Sequence, residues 1–169
     1  MRTVRKTLGL LLLVPFLVTA CSGSDVIKGL SDLEDQMVAA QEEQAPDLEV
    51  QGAKCPEEVP AKVGTKFQCT VTIEGVEAPY DVTLNSVEGG QGHFDFINAK
   101  PIIDTTKVVE FISQRLETQG VTGIDVACGE SKVQIVEIGD SIPCTISDDQ
   151  DTQTIQAVVE DLQGTVSLK

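Results

Sequence analysis

The stretch Gly64-Thr65-Lys66-Phe67-Gln68-Cys69 occurs a second time, in altered form, as Gly139-Asp140-Ser141-Ile142-Pro143-Cys144. Both copies have the form Gly-x-x-apolar-x-Cys, and both continue with a threonine and an aliphatic residue. A further cysteine lies upstream of each copy: Cys55 is 14 positions before Cys69, and Cys128 is 16 positions before Cys144. Self-similarity of this kind indicates a repeated structural unit.

The similarity between the two copies continues downstream. Residues 80–84 correspond to residues 154–158, and residues 92–96 correspond to residues 164–168. The repeat spacing is about 73–75 residues, so the two copies together occupy most of the chain.

Hydrophobic periodicity predicts the strands of each copy. Phe67, Cys69 and Val71 alternate with polar residues, which is typical of a half-buried antiparallel strand. Glycines punctuate the predicted turns. The predicted strands cover residues 47–54, 66–74, 79–87 and 92–98 in the first copy, and residues 122–128, 141–147, 153–160 and 164–168 in the second.

A helix is predicted in front of each set of strands. Ser31-Asp32-Leu33-Glu34 has the form of a capping box, and Pro46 prevents the helix from continuing past Gln44. In the second copy Asp104 or Thr105 can cap a helix that stops at Gly120. The predicted fold class is α+β, with two tandem copies of a helix packed on a four-stranded antiparallel β-meander.

The cysteines downstream of residue 50 form an even set of four, which permits three connectivities. Repeat symmetry selects Cys55–Cys69 and Cys128–Cys144, because each copy then carries its own bridge in the same place. The alternative is a structural zinc site, but the paired Cys-x-x-Cys spacing and the histidines of such sites are missing from the sequence. We therefore predict one disulfide per copy and neither a metal site nor a cofactor.

The amino terminus is typical of an exported lipoprotein. A basic start is followed by an apolar run over residues 8–18, which at ~1.5 Å per residue is too short to cross a membrane core that needs about 20 residues. The run ends in Val18-Thr19-Ala20-Cys21, the lipobox pattern. We expect cleavage between Ala20 and Cys21 and a diacylglycerol or acyl anchor on Cys21. An ordinary signal peptide is the alternative, since Val18 and Ala20 also suit the general peptidase.

Charge restricts the partners of the exported part. Removing residues 1–20 takes three positive charges from a chain of formal net charge −15, which leaves −18. Nucleic-acid binding requires clustered Lys and Arg, so that class is excluded. Anionic headgroups should also repel this surface, so the expected attachment to the membrane is the lipid alone.

Residues that could carry catalysis are few. His93, the one histidine, lies between Gly92 and Phe94 at the start of a predicted strand and has no identifiable nucleophile partner. Asp148, Asp149 and Asp151 are the best candidate cluster for a metal site, but they lack the spacing and the distal glutamate of a calcium loop. We interpret them as a solvated turn and do not expect an enzyme.

Residues 55–72, from Cys55-Pro56 to Phe67-Gln68-Cys69-Thr70-Val71-Thr72, resemble the signature of a domain of unknown function, DUF4333, found in actinobacterial lipoproteins. The later Tyr80-x-Val82 also fits that pattern. The second copy departs from it, with Gly129 in place of the proline and Ile142 in place of the phenylalanine, so we interpret it as a diverged copy. The resemblance implies an actinobacterial source and the outer face of the cell membrane, and it brings no activity or catalytic residues.

The sequence thus predicts a signal peptide over residues 1–20, a lipidated tether over residues 21–30, and modules over residues 31–98 and 104–169. The expected location is the extracytoplasmic face of the cell membrane. The favoured function is a non-catalytic binding or scaffolding module for an envelope protein or wall polymer. The alternatives are a carrier of a small apolar or lipid ligand and, more remotely, an enzyme.

Overall fold

The computed structural model describes residues 26–89, 91–148 and 150–169; the predicted signal peptide, its cleavage site and Cys21 lie outside these residues. The elements in chain order are β1 (Val26–Lys28), α1 (Ser31–Gln44), β2 (Val50–Lys54), β3 (Glu58–Pro60), β4 (Lys66–Ile73), β5 (Val76–Glu88), β6 (Gln91–Asn98), β7 (Ile102–Asp104), α2 (Thr105–Thr118), β8 (Asp125–Cys128), β9 (Val133–Ile135), β10 (Ser141–Ser147), β11 (Thr152–Val159) and β12 (Val166–Leu168). None of the helices in this part of the chain is long and apolar enough to span a membrane.

Two four-stranded antiparallel sheets follow the same plan. The first has the order β2-β4-β5-β6 and the second the order β8-β10-β11-β12. One helix and one disulfide accompany each sheet. The predicted α+β fold with two similar copies is confirmed.

Each copy also contains a two-stranded ribbon, whose pairing the sequence did not predict. The first ribbon pairs β1 with β3 and the second pairs β7 with β9. The predicted tether over residues 21–30 was therefore too long at its carboxyl end, because Ile27 and Leu30 are buried in the first module. The second module likewise begins at Ile102 and not at residue 104.

The strand register corrects the predicted correspondence of residues 80–84 with 154–158. Tyr80 lies opposite Cys69, and Ile155 lies opposite Cys144, so Tyr80 corresponds to Ile155 and not to Thr154. Tyr80 and Ile155 lie equally far behind the second cysteine of their copies, so the predicted alignment was displaced by one residue. Side chains alternate between the faces of a strand, so a shift of one residue exchanges core for solvent.

The two helices begin differently. Asp104 caps α2 as predicted, since its side chain accepts a hydrogen bond from the Thr106 amide at 2.9 Å. The predicted capping box of α1 was wrong: Leu30 is the N-cap residue and makes no side-chain cap bond. Glu34 instead accepts a hydrogen bond from the amide of Cys55 at 2.7 Å, which ties the first turn of the helix to the disulfide.

The predicted helix ends are confirmed. Helix α1 stops at Gln44 before Pro46. Helix α2 ends in a Schellman motif, in which the Gly120 amide donates to the Glu117 carbonyl and the Val121 amide donates to the Leu116 carbonyl. Gly120 has φ +82°, the left-handed conformation that this motif requires.

The two modules are packed together through the second ribbon. Val133 of β9 is 1% exposed and belongs to the core of the first module, together with Val71, Ala78 and Leu48. Ile103 of β7 points the other way, into the core of the second module. The ribbon is thus shared by both cores.

An ion pair fastens the edge of this contact. Lys132 Nζ lies 2.6 Å from Glu74 Oε1 and also donates to the Asp47 carbonyl at 2.8 Å. Glu74 occupies the β4–β5 turn with φ +50°, a conformation usually left to Gly or Asn. The Lys132 ammonium and the Glu49 amide lower the pKa of Glu74.

Candidate functional site

A cleft of about 660 Å³ opens where the two modules meet. Its walls are the end of α1 with the following loop (residues 41–48) and the first part of the second module (residues 102–111). Residues 162–166, which lead into β12, close one side, and Asn98 lies between the walls. The volume is within the range of sites for small molecules, which occur preferentially at domain interfaces.

Gln41 is the most enclosed polar group of the cleft, with 5% of its surface exposed. Its Oε1 accepts a hydrogen bond of 2.5 Å from the hydroxyl of Tyr80. Burial raises the pKa of Tyr80 to about 12, so the hydroxyl stays protonated and acts as the donor. This bond fixes the orientation of the Gln41 amide.

Asn98 connects the two modules at the side of the cleft. Its Nδ2 donates to the Lys100 carbonyl at 2.9 Å and to the Leu162 carbonyl at 2.8 Å. Both amide hydrogens are then in use, and Oδ1 is left as an acceptor. The orientation of this second amide is therefore fixed as well.

Helix α2 adds an aromatic face and the charges of the cleft. Phe111 is 40% exposed and belongs to neither hydrophobic core. Lys107 and the N-cap residue Asp104 are the two ionisable groups of the lining, so the lining as a whole is neutral. Because the chain has a net charge of −15, the neutral cleft differs in charge from the rest of the surface.

The family comparison concerns the first module. Residues 12–89 match the family model described as "Domain of unknown function (DUF4333)". This segment belongs to the DUF4333 family. Comparison of the chain with curated proteins and with solved structures gives no match.

The DUF4333 segment includes Cys21 and extends through β5 to the turn before β6. That the second copy is a diverged member of the same family stays a prediction. Its strand order and the place of its disulfide equal those of the first module.

Both predicted disulfides are present. Cys55 in the DUF4333 segment bonds to Cys69 with a Cα–Cα distance of 4.3 Å, and Cys128 bonds to Cys144 with a distance of 4.1 Å. Cys69 and Cys144 are buried in their respective cores. The bridges therefore fasten β2 to β4 and β8 to β10, and they are structural elements outside the cleft.

His93 lies on β6, an edge strand of the first module, and is exposed. It lines a groove at the other end of α1, together with Asp32 and Asp95. Asp148 and Asp151 lie far along the chain in the β10–β11 turn and do not line that groove. The structure thus does not bring the candidate catalytic residues together.

The acidic turn of the second module is held by its own backbone. Asp148 Oδ1 accepts the amides of Gln150 and Asp151, each at 2.8 Å, and these bonds lower the pKa of Asp148. Asp149 lies outside the described residues. Within the described part of the chain, no group of three or more His, Cys, Asp or Glu residues is placed to hold a metal ion.

Sequence reasoning missed the cleft, although one signal pointed to it. Leu33 and Met37 follow one another at helical spacing on the buried face of α1, and the next position on that face is Gln41. A glutamine on an apolar face requires a buried hydrogen-bond partner. The contribution of Asn98 and of residues 162–166 depends on how the modules dock, and no local pattern announces it.

Proposed function

We propose that this chain is a lipid-anchored, non-catalytic binding protein of the cell envelope, and that the cleft between its modules is the binding site. The observation that carries the proposal is the position of the cleft. Strand β1 enters the first module beside the start of α1, whereas the cleft lies at the end of that helix. A 14-residue helix is about 20 Å long, so the anchored side and the cleft are well separated.

The length of the tether agrees with this orientation. Only residues 22–25 separate Cys21 from β1, and such a segment spans at most about 17 Å when fully extended. An acyl chain on Cys21 would hold the first module close to the membrane surface and direct the cleft away from it. A cleft in that position is accessible to envelope proteins and wall polymers.

Packing gives no support to the carrier alternative in its predicted form. That alternative placed an apolar ligand between helix and sheet within one module. Met37 of α1 is fully buried and Ile112 of α2 is 1% exposed, because both helices pack directly on their sheets.

Two measurements test the proposal. Mass spectrometry of the protein purified from its own membranes should find an acylated Cys21 at the amino terminus; an unmodified Cys21 or a different amino terminus would remove the anchored location. Photo-crosslinking in intact cells then tests the cleft. A crosslinking residue at Phe111 should capture an envelope component that the same residue at Ile138, an exposed site of the second module, does not capture.

Equal capture at both positions would exclude the cleft as the binding site. A Phe111→Ala variant provides the matched control. It should lose the crosslinked species formed from a second cleft position, Gln163, while the Ile138→Ala variant retains it.

A further inference from the structure

We propose that the ligand of the cleft is an uncharged, hydroxyl-rich molecule, namely a saccharide segment of a neutral polymer; this rests on the proposed function above. The inference depends on three features of the lining: two amides held in fixed orientations, one exposed aromatic ring, and the absence of net charge.

The first amide offers an unused donor. Gln41 is 5% exposed, its Oε1 is engaged by Tyr80, and its Nε2 has no hydrogen-bond partner among residues 26–89, 91–148 and 150–169. No fully buried side-chain polar atom in the described part of the chain lacks a partner. Nε2 therefore keeps contact with solvent, and since Gln41 lines the cleft, that contact is made through the cleft.

The second amide offers the complementary acceptor. Asn98 donates its two Nδ2 hydrogens to the carbonyls of Lys100, in the link between the modules, and of Leu162, in the second module. No described residue donates to its Oδ1, which can therefore accept from a ligand. A fixed donor and a fixed acceptor suit neighbouring hydroxyl groups, each of which can donate and accept. Because neither amide must reorient, binding requires little ordering of the site.

The Phe111 ring and the charges of the cleft lining restrict the class of ligand further. Phe111 exposes an apolar face at the wall of the cleft, against which the C–H groups of a sugar ring can pack. Asp104 and Lys107 cancel, so neither an anionic nor a cationic polymer gains from the lining, and the acidic surface around it opposes an anionic one. A neutral saccharide is the class that satisfies all three features.

NMR titration of the full mature chain with neutral oligosaccharides tests the proposal. The probes are cellotetraose and chitotetraose, which carry hydroxyl groups alone or hydroxyl and N-acetyl groups. The side-chain NH₂ signals of Gln41 and Asn98 should shift with at least one probe, together with backbone amides of residues 107–111. Shifts located elsewhere, or none at millimolar concentration of either probe, would overturn the proposal.

Variants separate recognition from folding. The double variant Gln41→Met with Tyr80→Phe removes the donor without leaving a buried hydroxyl unpaired, and it should weaken binding by about tenfold. Phe111→Ala should weaken it by a similar factor, whereas Ile138→Ala should leave it unchanged. Binding that is unaffected in both cleft variants would contradict the assignment even if the wild-type chain binds.

A third arm distinguishes this inference from the proposed function. An uncharged tetrapeptide is titrated under the same conditions. If the peptide shifts the cleft signals and the saccharides do not, the saccharide class is wrong while a binding function of the cleft stands.

Discussion

The two ribbons occupy equivalent positions but face different surroundings. Counted back from the second cysteine of each copy, Glu58 corresponds to Val133 and Pro60 corresponds to Ile135. Glu58 is exposed and pairs with Lys28 at 3.2 Å, whereas Val133 is buried against the first module. The ribbon of the first copy therefore lies at one end of the protein, whereas the ribbon of the second copy joins the two modules. A few side chains, such as Glu58 and Val133, account for this difference.

The hairpins at the opposite end of each module show the reverse pattern of burial: some positions of the β4–β5 hairpin of the first module are buried, whereas their equivalents in the β10–β11 hairpin of the second are exposed. In the first module Ile73 and Ala78 are fully buried where β4 and β5 receive the second ribbon. The equivalent positions in the second module are Asp148 and Gln153, which are exposed. Repeat proteins end in copies with polar outer faces. These two modules together form a closed pair with a polar face at each end.

The cores differ in the size of their side chains. By register, the aromatic residues Phe67, Phe94 and Phe96 of the first module correspond to Ile142, Val166 and Leu168 of the second. Among the described residues, fifteen form the buried cluster of the first module and eight form that of the second. We infer that the second module depends more strongly on its disulfide.

The largest effect is expected from removing the disulfides. Replacing Cys128 and Cys144 by alanine should lower the free energy of unfolding by about 3 kcal/mol, as loop closure predicts, and should unfold the second sheet first. Replacing Cys55 and Cys69 should cost a similar amount but leave a more cooperative transition. Urea unfolding followed by NMR signals from both sheets measures the difference; a second sheet that melts no earlier than the first would contradict the inferred dependence.

The next largest effect tests the shared ribbon. Val133→Ala should lower the free energy of unfolding by about 2 kcal/mol, because it removes buried methyl groups and leaves a cavity between the modules. The control is Glu58→Ala at the equivalent exposed position, which should change stability by less than about 0.5 kcal/mol. Equal effects of the two substitutions would mean that the second ribbon is not packed against the first module.

A smaller effect distinguishes the starts of the two helices. Asp104→Ala should cost about 1 kcal/mol because the Thr106 amide loses its acceptor, and Asp104→Asn should retain most of the stability. Ser31→Ala should have little effect, since the Ser31 side chain makes no cap bond. Thermal unfolding of the three variants measures these changes in stability. A substantial loss of stability in Ser31→Ala would mean that Ser31 does cap α1 through a capping box.

The smallest effect concerns the ion pair between the modules. The pKa of Glu74 is lowered from its ordinary value of 4.5, so its stabilising contribution is present above that pH and is lost as the pH falls through the lowered value. Glu74→Gln should remove this dependence, and Lys132→Met should reduce it, because the hydrogen bond from the Glu49 amide remains. Unfolding measured from neutral to acidic pH tests the pair. If either variant loses stability at acidic pH as the wild type does, that loss arises from other carboxylates.

Sequence reasoning predicted the parts of the fold that repeat or alternate. The strands around Cys69 and Cys144, the disulfides, the end of α1 and the cap at Asp104 all follow from local rules. The pairing of the ribbons was not predicted, because strands of three residues are too short to show a period. The capping box failed because the tertiary contact of Glu34 with Cys55 replaced the local one.

The cleft was less predictable than the fold. Its amides lie far apart in the sequence, and Asn98 reaches Leu162 across 64 positions. Such a juxtaposition results from docking the modules, which depends on Val133 and Ile135 of one copy meeting Leu48 and Ala78 of the other. No single segment contains that information. Only Gln41, a polar residue on an apolar helical face, marked the site in advance.

The shared ribbon also has a consequence for the order in which the chain acquires its structure. A polypeptide emerges from the ribosome or from an export channel with its amino terminus first. The first module, although contiguous from β1 to β6, lacks part of its core until residue 133 has emerged, because Val133 belongs to that core. The first module therefore cannot complete its core before the second ribbon has emerged, and Leu48 and Ala78 stay uncovered until then. The two modules complete their folding together.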